Sequence, residues 1–166
     1  PVVISEGRPV AIDARIVIEP TDISAPRHLI ISPYPNQYES HWMLKDGTPV
    51  LIRPMKPEDE PMVARLLDNC SDQTLYFRYF RVIKTWPHEA LIRFTQNDYD
   101  REIGLAAIGE PPGPPVMMGV GRLVMTPDRE AAEFAVIVAD PWQGKGLGPK
   151  LIGRVIDLAR KNGVQV

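Results

Sequence analysis

The chain has 166 residues, 44% of them apolar and 24% charged, and a formal net charge of −2. That is enough chain for one well-packed domain with a smaller piece beside it, and the mildly acidic balance argues against a nucleic-acid partner, which would ask for a basic face. A single cysteine, Cys70, excludes an intramolecular disulfide, and no apolar run approaches the ~18 residues of a membrane span, so a cytoplasmic location without a membrane partner is expected.

Residues 1–18 alternate apolar and polar positions around Ser5-Glu6-Gly7-Arg8, the pattern of a β-hairpin. Its second strand, VAIDARIVI, resembles the closing strand of the ATP-grasp domain in NDP-forming acyl-CoA synthetases. The resemblance implies that residues 1–20 are the tail of such a domain. An aspartate at the place of Asp13 helps hold Mg²⁺ in that family; without the rest of the domain, Asp13 is read here as a structural strand residue, and no metal site is expected. Residues 21–37 include Pro26, Pro33 and Pro35 and show no helical period, so they read as an extended linker, with a short strand allowed at residues 28–31.

From Tyr38 to Met55 a second hairpin is predicted, turning at Asp46-Gly47. Pro57 is expected to open a helix with Glu58, Asp59 and Glu60 in its first turn, and Met62, Val63, Leu66, Leu67 and Cys70 on its apolar face. Ser71 can cap a second helix through Phe80, and a third starts at Pro87. The stripe Tyr76, Phe77, Arg78, Tyr79 and Phe80 has two readings, the lining of an acceptor groove or core, and core is the one expected. Residues 102–109 and 116–125 read as two strands joined by a proline-rich exposed loop.

The most informative stretch is EFAVIVADPWQGKGLGPKLIGRVIDLARKNG, beginning at Glu133. A β-branched strand over residues 132–138 is followed by a turn with glycine at 144, 146 and 148, then by an amphipathic helix. Pro149 suits its first position, Leu151, Ile152, Val155, Ile156 and Ala159 make its apolar face, and Gly163 caps it. Glycine-rich backbone meeting a helix N-terminus is an anion site suited to a pyrophosphate. A Walker loop is excluded because Gly146, not Ser or Thr, follows Lys145; a dinucleotide fingerprint is excluded by the G-x-G-x-G spacing.

Gln143, Gly146 and Gly148 instead match (Gln/Arg)-x-x-Gly-x-(Gly/Ala), and here the chain resembles the GNAT superfamily of acetyl-CoA-dependent N-acyltransferases. The strand–LIRPMKPED–helix order resembles the entry to a GNAT domain. The string SDQTLYFRYF resembles the multidomain bacterial protein lysine acetyltransferases, in which an acyl-CoA-synthetase-like region precedes the GNAT domain. The resemblance implies an α/β (α+β) fold over residues 38–166, a mixed sheet flanked by helices. It implies acetyl-CoA as cosubstrate and a protein with an acceptor lysine as partner, acyl-CoA synthetases being one such class. Carried over by position, the strand backbone at Val136, Ile137 and Val138 would bind acetyl and pantetheine. The loop at Gln143, Gly144, Lys145, Gly146, Leu147 and Gly148 would hold the pyrophosphate.

A lysine acceptor near pKa 10.4 must lose a proton before it attacks, and an ordinary carboxylate near 4.3 falls short by about 6 pH units, or about 8 kcal/mol for direct transfer. Desolvation or an intervening water narrows that gap. Glu133, at the position of a catalytic glutamate in the family resembled, is the candidate base, with Glu130 second. His28, His41 and His88 show no metal spacing, and Cys70 reads as a buried thiol.

Two other readings stay open, an acyl-CoA-binding regulatory module without turnover and a piece of an acyl-CoA ligase. The first residue is Pro1, and a further strand would begin at Val164, two residues before the last, so the GNAT domain is expected to be incomplete at its C-terminus. Such a piece is expected to be inactive and to self-associate through an exposed strand edge.

Overall fold

The computed structural model describes residues 2–5, 7–11, 20, 32–81, 83–109, 114–126 and 129–164. It divides into two units, Pro1–Ile30 and Ile31–Val166. In the first, β1 (Val2–Ser5) and β2 (Arg8–Ala11) form the expected antiparallel hairpin, with Ser5 opposite Arg8. Asp13 and the strand allowed at residues 28–31 lie outside the described residues.

The second unit is built on one sheet in the order β3 (Ser40–Met43), β4 (Pro49–Pro54), β5 (Glu102–Gly109), β6 (Val116–Met125) and β7 (Ala132–Val138), antiparallel throughout. The bounds of β5, β6 and β7 are those expected from the sequence. α1 (Glu60–Asp68), α2 (Asp72–Tyr79) and α3 (His88–Thr95) enter between β4 and β5, and α4 (Leu147–Lys161) follows β7. This is the mixed α/β architecture expected from the sequence. Among the described residues no helix is long and apolar enough to cross a membrane.

The sheet is covered on both faces. On one, Leu147, Leu151, Val155, Leu158 and Ala159 of α4 pack with Val50, Ile52, Ile103, Leu105, Met118 and Leu123. On the other, Val63, Leu66 and Leu67 of α1 and Leu91 of α3 pack with Met55, Ala106, Ile108 and Ile137. Each buried leucine is worth about 1.5–3 kcal/mol relative to exposure, so the two layers hold the sheet as a rigid platform.

The start of α1 differs from expectation. Pro57–Asp59 forms a 3-10 turn and the α-helix begins at Glu60. Asp59 is not a solvated first-turn charge. Its side chain is 3% exposed and accepts hydrogen bonds from Arg53 Nη1 (2.7 Å), Arg53 Nη2 (2.6 Å) and the Lys56 N–H (2.8 Å). A buried carboxylate needs such pairing, and here it satisfies the turn as well.

α4 meets bare backbone on β6. A Cβ built on Gly119 would lie 2.8 Å from the Ile137 carbonyl, and one on Gly121 would lie 2.9 Å from Val155 Cγ2. At its other end Gly163 N–H donates to the Arg160 carbonyl and Val164 N–H to the Ala159 carbonyl, the double bond of a Schellman cap.

Candidate functional site

The turn after β7 is shaped by positive φ at Gly144 (72°) and Gly146 (89°), and Gly146 is the N-cap of α4. The helix therefore starts at Leu147, which makes Pro149 its third residue rather than its first. No donor is lost there, since the first N–H groups of a helix have no partner within it. Among the described residues the amides of 144–148 have no backbone acceptor. A Cβ on Gly148 would meet no atom within 4 Å, so the backbone there faces open space. Together with the helix dipole this is a concentrated site for an anion.

Gln143 turns its side chain back onto the protein. Its Nε2 donates to the Val138 carbonyl (2.9 Å), Thr74 Oγ1 (3.1 Å) and Asp140 Oδ1 (3.2 Å). Thr74 Oγ1 also donates to Asp140 Oδ1 (2.8 Å). Hydrogen bonds from Ser71 and then Thr74 hold the Asp140 carboxyl below the usual carboxylate range. The loop is thus tied to the end of β7 and to α2 at once.

β7 is the last strand of the described sheet, with no strand on its outer side among the described residues. Peptide groups alternate sides along an antiparallel strand. Ala139 N–H donates inward to Met118 O, while the Val138 carbonyl points outward to Gln143. Val136 therefore also turns its peptide groups outward, and Ile137 turns its own toward β6. The free edge borders a cavity of about 610 Å³, lined by Phe134–Val138, Gln143, Ile152 of α4, and Thr74, Phe77, Arg78 and Phe80 from α2 and its end.

The reading of the aromatic stripe as core holds only for Tyr79, whose ring packs at a tilt on Trp86 (5.2 Å between centroids) and edge-on against Phe94 (6.4 Å). Phe77 and Phe80 are 67% and 80% exposed, and Tyr76 is exposed beside them. α2 is too short to bury more than Leu75, and Phe80 leaves it in the left-handed region at φ 54°. Phe77 and Phe80 stand at the cavity instead.

Glu133 is exposed near the start of β7, opposite Val124, and borders none of the cavities described. Glu130 borders a second, apolar cavity of about 270 Å³ with Phe134, Ile156 and Val164. Cys70 donates to the Leu66 carbonyl (3.3 Å), and burial pushes its thiol up to about 12, as befits an inert side chain. No group of three His, Cys, Asp or Glu suits a metal among the described residues.

A model of the Acetyltransferase (GNAT) family matches residues 67–166, from α1 through the loop and α4. The chain belongs to that family. The chain is 33% identical over 125 residues to the acetyltransferase PA5475 of Pseudomonas aeruginosa, covering 74% of this chain and 67% of that one. The GNAT domain of S. lividans PAT superposes with a TM-score of 0.71 at 26% identity, over 80% of this chain and 78% of that one. YncA of Salmonella typhimurium, solved with its cofactor acetyl-CoA, shares the fold at TM-score 0.50 and 24% identity, over 69% and 65% of the two chains.

The GNAT loop has a support that sequence reading missed. Lys145 Nζ pairs with Asp46 Oδ2 at 3.0 Å and lies 4.5 Å from the centre of the Trp142 ring. The Lys45 N–H donates to the Lys145 carbonyl (3.2 Å), and the free side of Gly146 faces Lys45 and Trp42. Hydrogen bonds from Thr48 and Lys145 bring the Asp46 carboxyl down to about 2. Asp46-Gly47 is legible as a turn; that its aspartate meets a lysine almost a hundred positions away is not.

Proposed function

We propose that this GNAT acetyltransferase moves the acetyl group of acetyl-CoA to the side-chain amine of a protein lysine. The observation that supports this reading best is a juxtaposition. An outward-facing strand edge at Val136 and Val138 borders a cavity that reaches Gln143 and Ile152, the residues that flank the loop with the unpartnered amides of 144–148. A long ligand with an anionic pyrophosphate and an amide-bearing arm fits such a site, the pyrophosphate on the loop and the arm laid along β7 as an added strand. Acetyl-CoA, the cosubstrate of the family, has that chemistry.

Little covalent help is then required. The outward N–H of Val136 or Val138 would polarise the thioester carbonyl, and placement of the amine supplies most of the remainder. The amine must first be neutral, and Glu133 is the residue we assign to take its proton. Because Glu133 is exposed and off the cavity wall, transfer through a water fits better than direct contact. Phe77 and Phe80 would flank the incoming lysine. The same position of Glu133 also favours a second reading, an acyl-CoA-binding module without turnover.

An acetyl-transfer assay with lysine-containing protein substrates separates the two. Glu133→Gln should lower turnover about 10²- to 10⁴-fold with acetyl-CoA affinity unchanged. Wild-type turnover in this variant of the full-length protein would remove Glu133 from the reaction, and no turnover in the full-length wild-type protein would leave the binding module.

A further inference from the structure

We propose that the β3–β4 hairpin is a brace for the phosphate-binding loop, and that Asp46 is a positioning residue that acts through Lys145. The inference rests on the acetyl-CoA reading above for its ligand, but not for its geometry. Three contacts join hairpin and loop at consecutive residues. The Lys145 carbonyl is held by the Lys45 amide, the Lys145 ammonium by Asp46, and Gly146 rests against Lys45 and Trp42. A fourth extends the brace into the helix, where Lys150 Nζ lies 5.4 Å from the centre of the Trp42 ring.

The arrangement answers a physical need. The loop passes through two positive-φ glycines, residues that lose the most conformational freedom on ordering. A flexible anion loop spends part of its ligand's binding free energy on its own ordering, and a pre-ordered one does not. Asp46 is itself fixed, since its Oδ1 accepts the Thr48 N–H at 3.1 Å within the hairpin turn. It therefore offers Lys145 a stationary partner. Lys145 in turn is held on its carbonyl side and its ammonium side at once, which fixes the peptide that leads into Gly146 and the first amides of α4.

Asp46→Asn is the direct test, because asparagine keeps an oxygen for Thr48 and removes only the charge. The pair is part-exposed, so a modest effect is expected: the KM for acetyl-CoA rises about 2- to 5-fold at low salt while kcat at saturation stays put. The difference from wild type should vanish near 1 M salt, where the Debye length is about 3 Å. In a Lys145→Gln background, Asp46→Asn should have no further effect. Without any cofactor, hydrogen exchange of the Lys45 amide, whose N–H donates to the Lys145 carbonyl, should be faster in Asp46→Asn than in wild type.

An unchanged or lower KM at low salt, or an undiminished effect in the Lys145→Gln background, overturns the brace. So does unchanged exchange at the Lys45 amide. If Gly148→Asp weakens acetyl-CoA binding while Asp46→Asn changes neither KM nor exchange, the brace fails and the acetyl-CoA reading stands. If the wild-type chain does not bind acetyl-CoA, that reading fails, and the exchange measurement still decides the brace.

Discussion

Two helices border the same cavity and are built in opposite ways. α4 buries Leu147, Leu151, Val155, Leu158 and Ala159 and gives the cavity one half-buried side chain, Ile152. α2 buries only Leu75 and leaves Tyr76 and Phe77 exposed. A wall that must hold backbone amides in a fixed array has to be packed, since sub-ångström placement comes from contacts on its far side. A wall that receives a variable partner keeps its apolar surface uncovered until the partner arrives. On this reading the α4 side is the cosubstrate wall and the α2 side the acceptor wall.

The sharpest way to break the contrast is to loosen the packed wall. Leu151→Ala removes a side chain with no exposure and should cost about 2–5 kcal/mol in urea unfolding. A loss below about 1 kcal/mol would mean that α4 is not the rigid element.

The next test leaves packing intact and addresses the ligand. Gly148→Asp enters open space at a backbone angle any residue adopts, so the chain should fold. Its carboxylate would sit where phosphate oxygens are expected and weaken acetyl-CoA by on the order of 2 kcal/mol in calorimetry. Gly146 is a poorer probe, because at φ 89° any side chain is strained whether or not a ligand binds. Unchanged affinity in Gly148→Asp would remove the loop from the binding site.

The smallest expected effect concerns the open wall. Phe77→Ser should leave stability within about 0.5 kcal/mol. It should raise the KM for the acceptor protein severalfold with no change in that for acetyl-CoA. A stability loss beyond about 1 kcal/mol would return Phe77 to the core and remove the contrast.

Much of the α4 wall was legible in the sequence and little of the α2 wall. Strand β7 and the apolar face of α4 follow from periodicity, because burial on one side imposes a period. The two-residue difference in the position of Pro149 arises because Gly146, in the left-handed region, ends the turn earlier than proline alone suggests. The aromatic string around Phe77 carries no signal that separates core from exposed surface; only the short length of α2 decides it. Asp59 and Asp46 share this obscurity. One is buried on Arg53 and one meets Lys145, and neither partner is visible from local spacing.

The two bare positions on β6 have a consequence for how the cavity can change. With hydrogen in place of a side chain at Gly119 and Gly121, α4 sits on the sheet backbone, and Leu151 and Val155 act as its feet. The gap between helix and β7 is therefore gauged by peptide thickness, the least compressible dimension in the molecule. A single methyl at residue 121 would act as a shim, lifting α4 with its amide array and widening the slot along its whole length. Divergent members of such a fold could retune the girth of the ligand they admit from this buried seam, with every residue that touches the ligand unaltered.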